Sequence, residues 1–358
     1  MMKKLFFAVL MFSFIFPQTG KVIQLQGQAS VQKLGASPVP LKKGAAVNQG
    51  QYIITKPSST VKIKLASGAI LTVGPSSRMR IQPSTIKQAS SSTSVSLFSG
   101  TLSASIKKLG KSSGKFNIHT PTAVAGVRGT DFTVAAGLDG SSYVAVDDGK
   151  VAVDNGKGET VCNKKETAET PIGEDEAPEK DELDDKEQLN EWLTENEEDV
   201  NDDPDEALEK MEQHLKGVAD NAKELAENSE RAADKDLNTD DKNYLHAKKK
   251  KALEMDQKLI SSDTANEAIM DNAQSLLKQY KDDRKVKRYK EESALDRINK
   301  MITDYNSRIN AALNRLNQKL AEAYKRIEDS YEDTGKRIDK SFDKADFDID
   351  EKKMDMDQ

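Results

Sequence analysis

Cysteine, histidine and aromatic residues are scarce in this chain, and their scarcity excludes several kinds of protein. With Cys162 as the single cysteine among 358 residues, no internal disulfide can form, so burial must hold the fold together. The histidines at 119, 214 and 246 are too scattered for metal-ligand spacing. Because aromatic residues make up only 5% of the chain, a β core must rest mainly on aliphatic side chains. Cys162 itself is interpreted as an ordinary residue at the end of the last strand, or alternatively as the site of an intermolecular disulfide.

Proline and glycine almost disappear from the second half of the chain. Every proline lies at or before Pro204, and beyond it only Gly217 and Gly335 are glycine. Charge divides the chain in a similar way: through Val161 there are 19 Lys and Arg against 6 Asp and Glu, a net charge of +13. The totals of 54 and 60 then leave 35 against 54 from Cys162 onward, a net charge of −19. These shifts predict two separate domains.

Long apolar runs are also missing, apart from a short one at the N-terminus. Lys3 and Lys4 precede twelve mostly apolar residues, from Leu5 to Phe16. Such a pattern is typical of a secretory signal peptide, and the run is shorter than the ~20 residues that cross a bilayer. We therefore predict a signal peptide over residues 1–20, a mature chain without a transmembrane segment, and a periplasmic or secreted location in the cell envelope.

Residues 21–161 carry the period-two alternation of β-strands. Apolar and polar residues alternate in short runs such as Val61 to Leu65, and Asp-Gly pairs at 139–140 and 148–149 separate such runs. Alternation places one face of each strand on a core, and Asp-Gly pairs suit hairpin turns. This half therefore predicts an all-β domain, built as a sandwich, a jelly roll or a short β-solenoid.

The order of motifs in this half resembles a known domain. Residues 120–134 combine a Thr-Pro corner, two glycines that bracket an arginine, and an alternating strand. A Leu-x-x-Gly-x-Leu step precedes them at residues 97–102, and Asp-Gly-Lys-Val-Ala-Val follows at residues 148–153. In this order, the motifs over residues 22–155 resemble the FecR-type periplasmic β domain, which is named after the iron-dicitrate regulator.

The resemblance implies a domain that transmits a signal from the envelope, often to a sigma-factor system. Regulators of that family carry a cytoplasmic N-terminal segment and a membrane helix ahead of the β domain. In this chain the export signal directly precedes the first strand. Direct contact with a cytoplasmic sigma factor is therefore not expected.

One candidate partner-binding or structural turn contains Gly126, Arg128, Gly129 and Thr130. Two glycines three residues apart allow a tight backbone path where strands change direction. Arg128 is interpreted as a structural residue that pairs with a carboxylate or caps carbonyls, or alternatively as an arginine that faces a ligand.

A second candidate is the basic loop with Lys107, Lys108 and Lys111. It is interpreted as a solvated hairpin tip, or alternatively as a site that attracts an anionic envelope polymer or lipid headgroups. Nucleic acid is not an expected partner, since the chain is predicted to be exported and no aromatic residues are interleaved with these lysines.

No motif supports catalysis, a cofactor or a metal. Residues 110–114 match Gly-x-Ser-x-Gly, but β runs on both sides predict a hairpin loop rather than the strand-to-helix turn of a hydrolase. The segment from Asp236 imitates a calcium loop, yet Asp241 and Ala247 replace the required glycine and glutamate. We predict a non-enzymatic protein without catalytic, cofactor-binding or metal-binding residues.

The second half predicts helices that follow an acidic linker. Residues 162–181 contain two prolines and almost nothing apolar, which predicts a disordered linker. Residues 182–260 predict helical hairpin segments, in which Asp203 and Pro204 supply a cap and a first-turn proline. Residues 261–349 predict one long helix, and residues 350–358 a disordered acidic tail.

An eleven-residue repeat marks the long helix. In blocks of eleven from Leu295, column four reads Ile298, Ile309, Leu320, Tyr331 and Phe342, and column eleven reads Tyr305, Leu316, Ile327, Ile338 and Ile349. This period of ~3.67 residues per turn gives a nearly straight packing stripe. Since such a stripe needs a partner in water, we predict intrachain antiparallel packing near the turn at 236–240. Self-association into a homo-oligomer is a further expectation.

Two functions fit these features. The first is an exported, non-enzymatic FecR-type protein that binds an envelope ligand or a protein partner, with a coiled-coil stalk for projection or self-association and a role in envelope signalling. The second is a structural scaffold or adhesin that its β domain anchors to the cell envelope.

Overall fold

The chain forms two compact units. A computed structural model describes residues 19–83, 93–107, 115–127, 129–185, 187–239, 241–280 and 292–356, and in the last range the side chains of residues 294–332. Within these ranges, the first unit takes in residues 19–215 and 264–295, and the second takes in residues 216–263 and 296–356. The described strands all lie in the first unit, together with parts of the helical half.

The first unit contains a body of short strands, as the alternating sequence predicts. In chain order these are β1 (Gly20–Gln26), β2 (Ala29–Lys33), β3 (Val39–Pro40), β4 (Ala46–Val47), β5 (Gln51–Thr55), β6 (Thr60–Leu65), β7 (Ile70–Val73), β8 (Arg78–Ile81), β9 (Thr93–Ser105), β10 (Phe116–His119), β11 (Val124–Val127), β12 (Asp131–Ala136), β13 (Ser142–Asp148), β14 (Lys150–Asp154), β15 (Glu159–Asn163), β16 (Glu166–Thr170) and β17 (Glu179–Glu182). In β6, for example, Val61, Ile63 and Leu65 are buried, whereas Lys64 is exposed. The predicted fold class, an all-β domain followed by an all-α region, is confirmed.

Hydrogen bonds arrange the strands in two sheets that share one long strand. The first sheet has the order β4-β1-β6-β7-β9-β12-β13-β16-β17. The second has the order β3-β2-β5-β8-β9-β10-β11-β14-β15. Strand β9 passes from the second sheet to the first at Gly100, whose φ of 82° lies where glycine is favoured.

One apolar core lies between the two sheets. Its largest fully buried members are Phe132, Ile53, Ile63, Leu71, Met79, Ile81, Leu97, Leu102 and Ile118. Aliphatic side chains dominate this set, as the scarcity of aromatic residues predicts, and each stabilises the fold by about 1.5–3 kcal/mol when fully buried. Two facing sheets around one core correspond to the sandwich among the predicted alternatives.

The prediction of a disordered linker over residues 162–181 is wrong. The chain forms the end of β15, all of β16 and most of β17 there, and β16 pairs with β13 in the first sheet. Ala168 and Thr170 are buried on the core side of β16, and Thr167 is buried on the opposite side, so the buried residues of this strand are small rather than large and apolar. The acidic residues stand at exposed or half-buried positions of these strands. The acidic composition thus reflects the outer side of the strands, and the β domain extends beyond residue 161 to Glu182.

Cys162 lies inside the β domain. It is fully buried in β15, and its Sγ donates to the carbonyl oxygen of Thr167 at 3.2 Å. The interpretation as an ordinary buried residue is therefore correct, although β15 is not the last strand. The alternative of an intermolecular disulfide is wrong for this conformation, since no second chain can reach the sulfur.

Burial raises the pKa of the Cys162 thiol to about 11 from an unfolded value of 9.0. We predict that the native protein resists Ellman's reagent below that unfolded value, whereas urea-unfolded protein reacts fully. Because the folded pKa is raised, the stability that the neutral thiol contributes is present below pH 9.0 and is lost as the pH rises through about 11. Rapid modification of native protein would contradict the buried position.

Helices α1 (Gln188–Asp202), α2 (Pro204–Asp234), α3 (Lys242–Gln279) and α4 (Glu292–Met356) follow the strands. The predicted start at Pro204 is confirmed, since the Asp203 carboxylate accepts the Glu206 amide at 3.0 Å. The first unit includes α2 as far as Leu215 and α3 from Thr264. Among the described helices, none has both the length and the apolar content that crossing a bilayer requires.

Helix α1 packs on the outer face of the first sheet. Leu189 is buried there, and the ring centroid of Trp192 lies 5.4 Å from that of Tyr143 in β13. The Trp192 indole Nε1 donates to the Glu169 carboxylate at 2.6 Å. Helix α1 thus presents an apolar stripe to the sheet. Since Trp192 is the single tryptophan, its fluorescence reports on the first unit.

The second unit packs the end of α2, the start of α3 and α4 around one apolar cluster. The buried members from α4 are Ile309, Ala312, Leu313, Leu316, Leu320, Ala323 and Ile327, so the eleven-residue stripe faces the other helices over this range. Along α3 and α4, Ser262 bonds Asn306 at 2.9 Å, and Lys242 lies 4.4 Å from the Tyr331 ring centroid. Helices α3 and α4 are therefore antiparallel, and the predicted intrachain packing is confirmed.

The predicted boundary at residue 260 and the single helix over residues 261–349 are wrong. Helix α3 continues through this boundary to Gln279, and a separate α4 begins only at Glu292. The boundary fails because Ile260 and Ala265, on either side of it, are both buried positions of one continuous helix. The tail predicted over residues 350–358 is also wrong as far as Met356, since no glycine or proline after Gly335 ends α4.

Candidate functional site

The outer face of the second sheet carries two arginines and two aromatic rings. Ile53, Met79 and Leu97 point into the core, so their neighbours on the same strands point the opposite way. Those neighbours are Tyr52 on β5, Arg78 and Arg80 on β8, and Phe98 on β9. We call these four residues the arginine cluster.

The arginines stack on the rings of this cluster. The Arg78 Cζ atom lies 4.5 Å from the ring centroid of Tyr52 and 4.8 Å from that of Phe98. The corresponding distances for Arg80 are 5.0 and 5.3 Å. The two ring centroids are 5.7 Å apart. Stacking of this kind holds a guanidinium in a fixed orientation, with its N–H edge directed away from the ring.

Helix α3 places an acidic stripe on the arginine cluster. Glu267 lies between the two arginines: one carboxylate oxygen accepts from Arg78, and the other lies 3.3 Å from an Nη of Arg80. The Tyr52 hydroxyl also donates to Glu267, at 3.1 Å. One helical turn further, Asp271 accepts the second Nη of Arg78. Two carboxylates from one helix face thus pair with two arginines from one strand.

Uncharged side chains also hold α3 against the second sheet. Thr264, Ala268 and Asp271 recur on α3 at intervals of four and three, so they share a helix face. Ala268 packs against the two rings of the arginine cluster. The hydroxyl oxygens of Thr264 and Ser96 lie 2.6 Å apart, and both residues are fully buried. This buried hydroxyl pair fixes the position of the helix along the strand.

Burial sets the electrostatics of the site. Arg80 is only 7% exposed, so its pairing with Glu267 is screened by water much less than a surface ion pair is. Burial also raises the pKa of Tyr52 to about 12, which the charge of Arg80 opposes and that of Glu267 reinforces. The phenol therefore stays protonated and remains a hydrogen-bond donor to the carboxylate.

This arrangement is suited to recognising carboxylates. Arginine stays charged, and the Tyr52 phenol stays protonated at neutral pH, so neither is adapted to proton transfer. Two stacked guanidiniums instead offer fixed pairs of donors to an acidic helix face. Across the described part of the chain, no group of three or more His, Cys, Asp or Glu side chains could hold a metal ion.

The turn predicted from Gly126, Arg128, Gly129 and Thr130 lies elsewhere in the β domain. Gly126 sits in regular β11, whereas Gly129 has a φ of 78° where the chain passes from the second sheet to the first. The buried Thr130 hydroxyl donates to the carbonyl oxygen of Lys150 at 2.9 Å. Arg128 lies outside the described residues. These contacts are those of a corner between sheets, with the positive φ at one of the two glycines.

Of the lysines in the predicted basic loop, the structure describes Lys107, which is exposed two positions after the end of β9. Lys108, Lys111 and the Gly-x-Ser-x-Gly segment at 110–114 lie outside the described residues. A role for this loop in binding an anionic polymer stays a prediction.

Sequence reasoning missed the arginine cluster, although one local signal points to it. Arg78 and Arg80 are the first two arginines of the chain, and they flank the core residue Met79 on one strand. Residues two positions apart in a strand point to the same side, so these two arginines share the outer face of the sheet. Their partner Glu267 is 189 positions away from Arg78, which no local pattern indicates.

Comparison with known proteins finds a family model that matches part of the β domain. The family model described as FecR protein matches residues 51–152. No curated protein matches the chain significantly.

Solved structures give weaker similarities. Two crystal structures of a candidate anti-sigma factor from Parabacteroides distasonis are 21% identical over 40% of this chain, each with a TM-score of 0.33. The matches cover 63% and 64% of those chains, so this chain spans less than two thirds of their length. A cell surface anchoring domain is 25% identical over 18% of this chain and 83% of its own, with a TM-score of 0.17. The family match contains all four residues of the arginine cluster, so this cluster lies in the segment that is similar to FecR protein.

Proposed function

We propose that this chain is an exported, non-enzymatic regulator of envelope signalling whose FecR-type domain binds an acidic helix of a protein partner through the arginine cluster. The FecR match supports a regulatory role rather than a catalytic one. The predicted signal peptide over residues 1–20 supports export, and a location in the envelope follows from it.

The observation that carries this proposal is the way in which α3 occupies the arginine cluster. The face already binds a helix that presents a hydroxyl, two carboxylates and a small residue along one stripe. The occupant belongs to the same chain, so the contact forms without a partner. A partner helix with the same chemistry would compete for the face, and the α3 segment would act as its built-in competitor.

Unequal anchoring of α3 makes such competition feasible. Glu267 is the buried anchor, with a side chain 22% exposed, whereas the Asp271 side chain is 54% exposed. An ion pair as exposed as that of Asp271 contributes no more than about 1 kcal/mol. The outer end of the segment is thus weakly held, and displacement would begin there. Self-association through the C-terminal helices stays a prediction.

Paired variants of the full chain test this function in envelope extract. Weakening the built-in competitor with Glu267→Gln/Asp271→Asn should increase retention of a specific partner about tenfold, if it removes about 1.4 kcal/mol of competition. Arg78→Gln/Arg80→Gln should abolish that retention, together with any transcriptional response that depends on the protein. Glu197→Gln/Glu198→Gln on exposed positions of α1 is the charge-matched control and should change neither.

Other outcomes would overturn the proposal. The same partners in all variants would show that the arginine cluster is not the binding surface. Attachment to envelope polymer with no effect of any variant on transcription would favour the scaffold function instead.

A further inference from the structure

A small groove in the second unit is surrounded by positive charge. It lies between the end of α2 and the start of α3 and has a volume of about 160 Å³. Its lining residues are Asn228, Arg231, Ala232, Lys235, Lys248, Lys251, Ala252, Met255 and Leu316. Four of them are cationic and none is acidic, although the chain carries a net charge of −19 from Cys162 onward.

Helical spacing explains how these cations converge. Residues 228, 231, 232 and 235 recur at intervals of three, one and three, and residues 248, 251, 252 and 255 repeat the same intervals. Residues 228, 231 and 232 therefore lie on one face of α2, with Lys235 directly after its last residue, and the second set lies on one face of α3. Each side of the groove contributes two cations to the rim, while Ala252 and Met255 help to form an apolar floor.

Two acidic residues near the groove, Glu230 and Glu254, already have other partners. Glu230 forms a two-pronged pair with Arg308, with both N–O distances 2.9 Å. Glu254 lies within 4.0 Å of Lys250, which does not line the groove. Arg231 is itself oriented by a 2.7 Å bond to the Asn228 side chain. Lys248 has an aromatic partner, since its Nζ lies 4.9 Å from the ring centroid of Tyr244.

Helix dipoles explain the positions of only two of the four cations. Arg231 and Lys235 stand at the C-terminal end of α2, where cations are favoured. Lys248 and Lys251 stand in the second and third turns of α3, where the dipole gives them no such advantage. Four cations around one groove repel one another unless an anion lies between them.

We propose that this groove binds a phosphoryl group. The volume exceeds the ~30 Å³ share of one water and falls short of the ~300 Å³ of a typical small-molecule site, so it fits a compact oxyanion. Three lysines and a guanidinium supply the donors that phosphate oxygens accept, and Asn228 adds an amide. The group is either a soluble phosphate or part of a phospholipid headgroup. This site is independent of the arginine cluster and of the function proposed for it.

Calorimetric titration of the full chain with inorganic pyrophosphate tests the proposal. Wild type should bind one pyrophosphate per chain, and Lys251→Gln or Arg231→Gln should each weaken binding about tenfold. Lys250→Gln is the matched control, because it removes a neighbouring lysine that points away from the groove; it should leave the affinity unchanged. In low salt without ligand, Lys251→Gln should also raise the melting temperature of the second unit, since it relieves repulsion.

Vesicles separate the two sources of the group. Binding to phosphatidylglycerol vesicles but not to phosphatidylcholine vesicles, with the same dependence on Lys251, would identify a lipid headgroup; binding of pyrophosphate alone would identify a soluble phosphate. Binding of neither would overturn the site. Equal losses in Lys250→Gln and Lys251→Gln would overturn it too, because they would indicate nonspecific attraction to the lysine run.

Discussion

Gly100→Val is expected to lower the free energy of unfolding of the first unit by about 2–5 kcal/mol, a large part of the ~5–15 kcal/mol that holds a typical domain. Gly100 has a φ of 82°, and a Cβ there would lie 2.2 Å from the Ser77 Oγ and 2.7 Å from the Ser77 Cα. The valine would therefore strain the backbone of Gly100 and also overlap with Ser77, at the point where β9 passes between the sheets. Urea unfolding followed by Trp192 fluorescence measures the loss.

Gly156→Ala separates the two causes of this loss. Gly156 has nearly the same φ, 81°, but nothing lies within 4 Å of a Cβ built there. Gly156→Ala should lower the free energy of unfolding by only ~1–2 kcal/mol, which is the cost of the left-handed backbone conformation for a residue with a Cβ. Equal losses in both variants would contradict the close approach at Ser77, and an unchanged midpoint for Gly100→Val would contradict the shared strand.

Glu267→Leu is expected to destabilise the first unit by about 3 kcal/mol, since removing one partner leaves buried charge uncompensated. The variant leaves Arg80, with a side chain 8% exposed, without its carboxylate, and the Tyr52 hydroxyl without its acceptor. Urea unfolding of the full chain measures the loss, again by Trp192 fluorescence. Hydrogen exchange should rise first in residues 264–279, because this segment loses its anchor.

Two further variants give this prediction its controls. Asp271→Leu removes a carboxylate from the same stripe, but at a side chain 54% exposed, and should cost no more than about 1 kcal/mol. Arg80→Met/Glu267→Leu removes both buried charges and should recover most of the loss. If the loss in the double variant equals the sum of the losses in Arg80→Met and in Glu267→Leu, the two charges are not coupled.

The β half could be predicted from local pattern, because its strands follow alternation and its turns follow glycine. Strands β16 and β17 could not: the buried residues of β16, namely Thr167, Ala168 and Thr170, are small and stand beside acidic neighbours, and β17 is exposed throughout. The pairing of β16 with β13 depends on a sheet that is already formed. The acidic composition therefore indicates which residues are exposed on these strands, but it does not indicate that they form strands.

The helical half shows the same limit. The eleven-residue stripe correctly identified the buried positions Ile309, Leu320 and Ile327. The division into α3 and α4 was missed, because neither proline nor glycine marks it in the sequence between Gln279 and Glu292. The absence of proline and glycine therefore predicts that this part of the chain is helical, but it does not predict where each helix ends.

The candidate site could be predicted only in part. The two arginines on β8 share a face by alternation alone, so their placement was accessible from the sequence. Their carboxylate partners come from a helix 189 and 193 positions further along the chain. Such a pairing depends on tertiary packing, which neither periodicity nor motif order reveals.

Occupation of the arginine cluster by α3 is tested most directly by a disulfide between Ser96→Cys and Thr264→Cys, whose hydroxyl oxygens lie 2.6 Å apart. Mild oxidation of the full chain should crosslink this pair almost completely, and Cys162 should not interfere because it is buried. Ser96→Cys/Ser275→Cys, with the second cysteine at an exposed position of α3, should stay reduced. Equal crosslinking of both pairs, or of neither, would contradict the contact on which the proposed function rests.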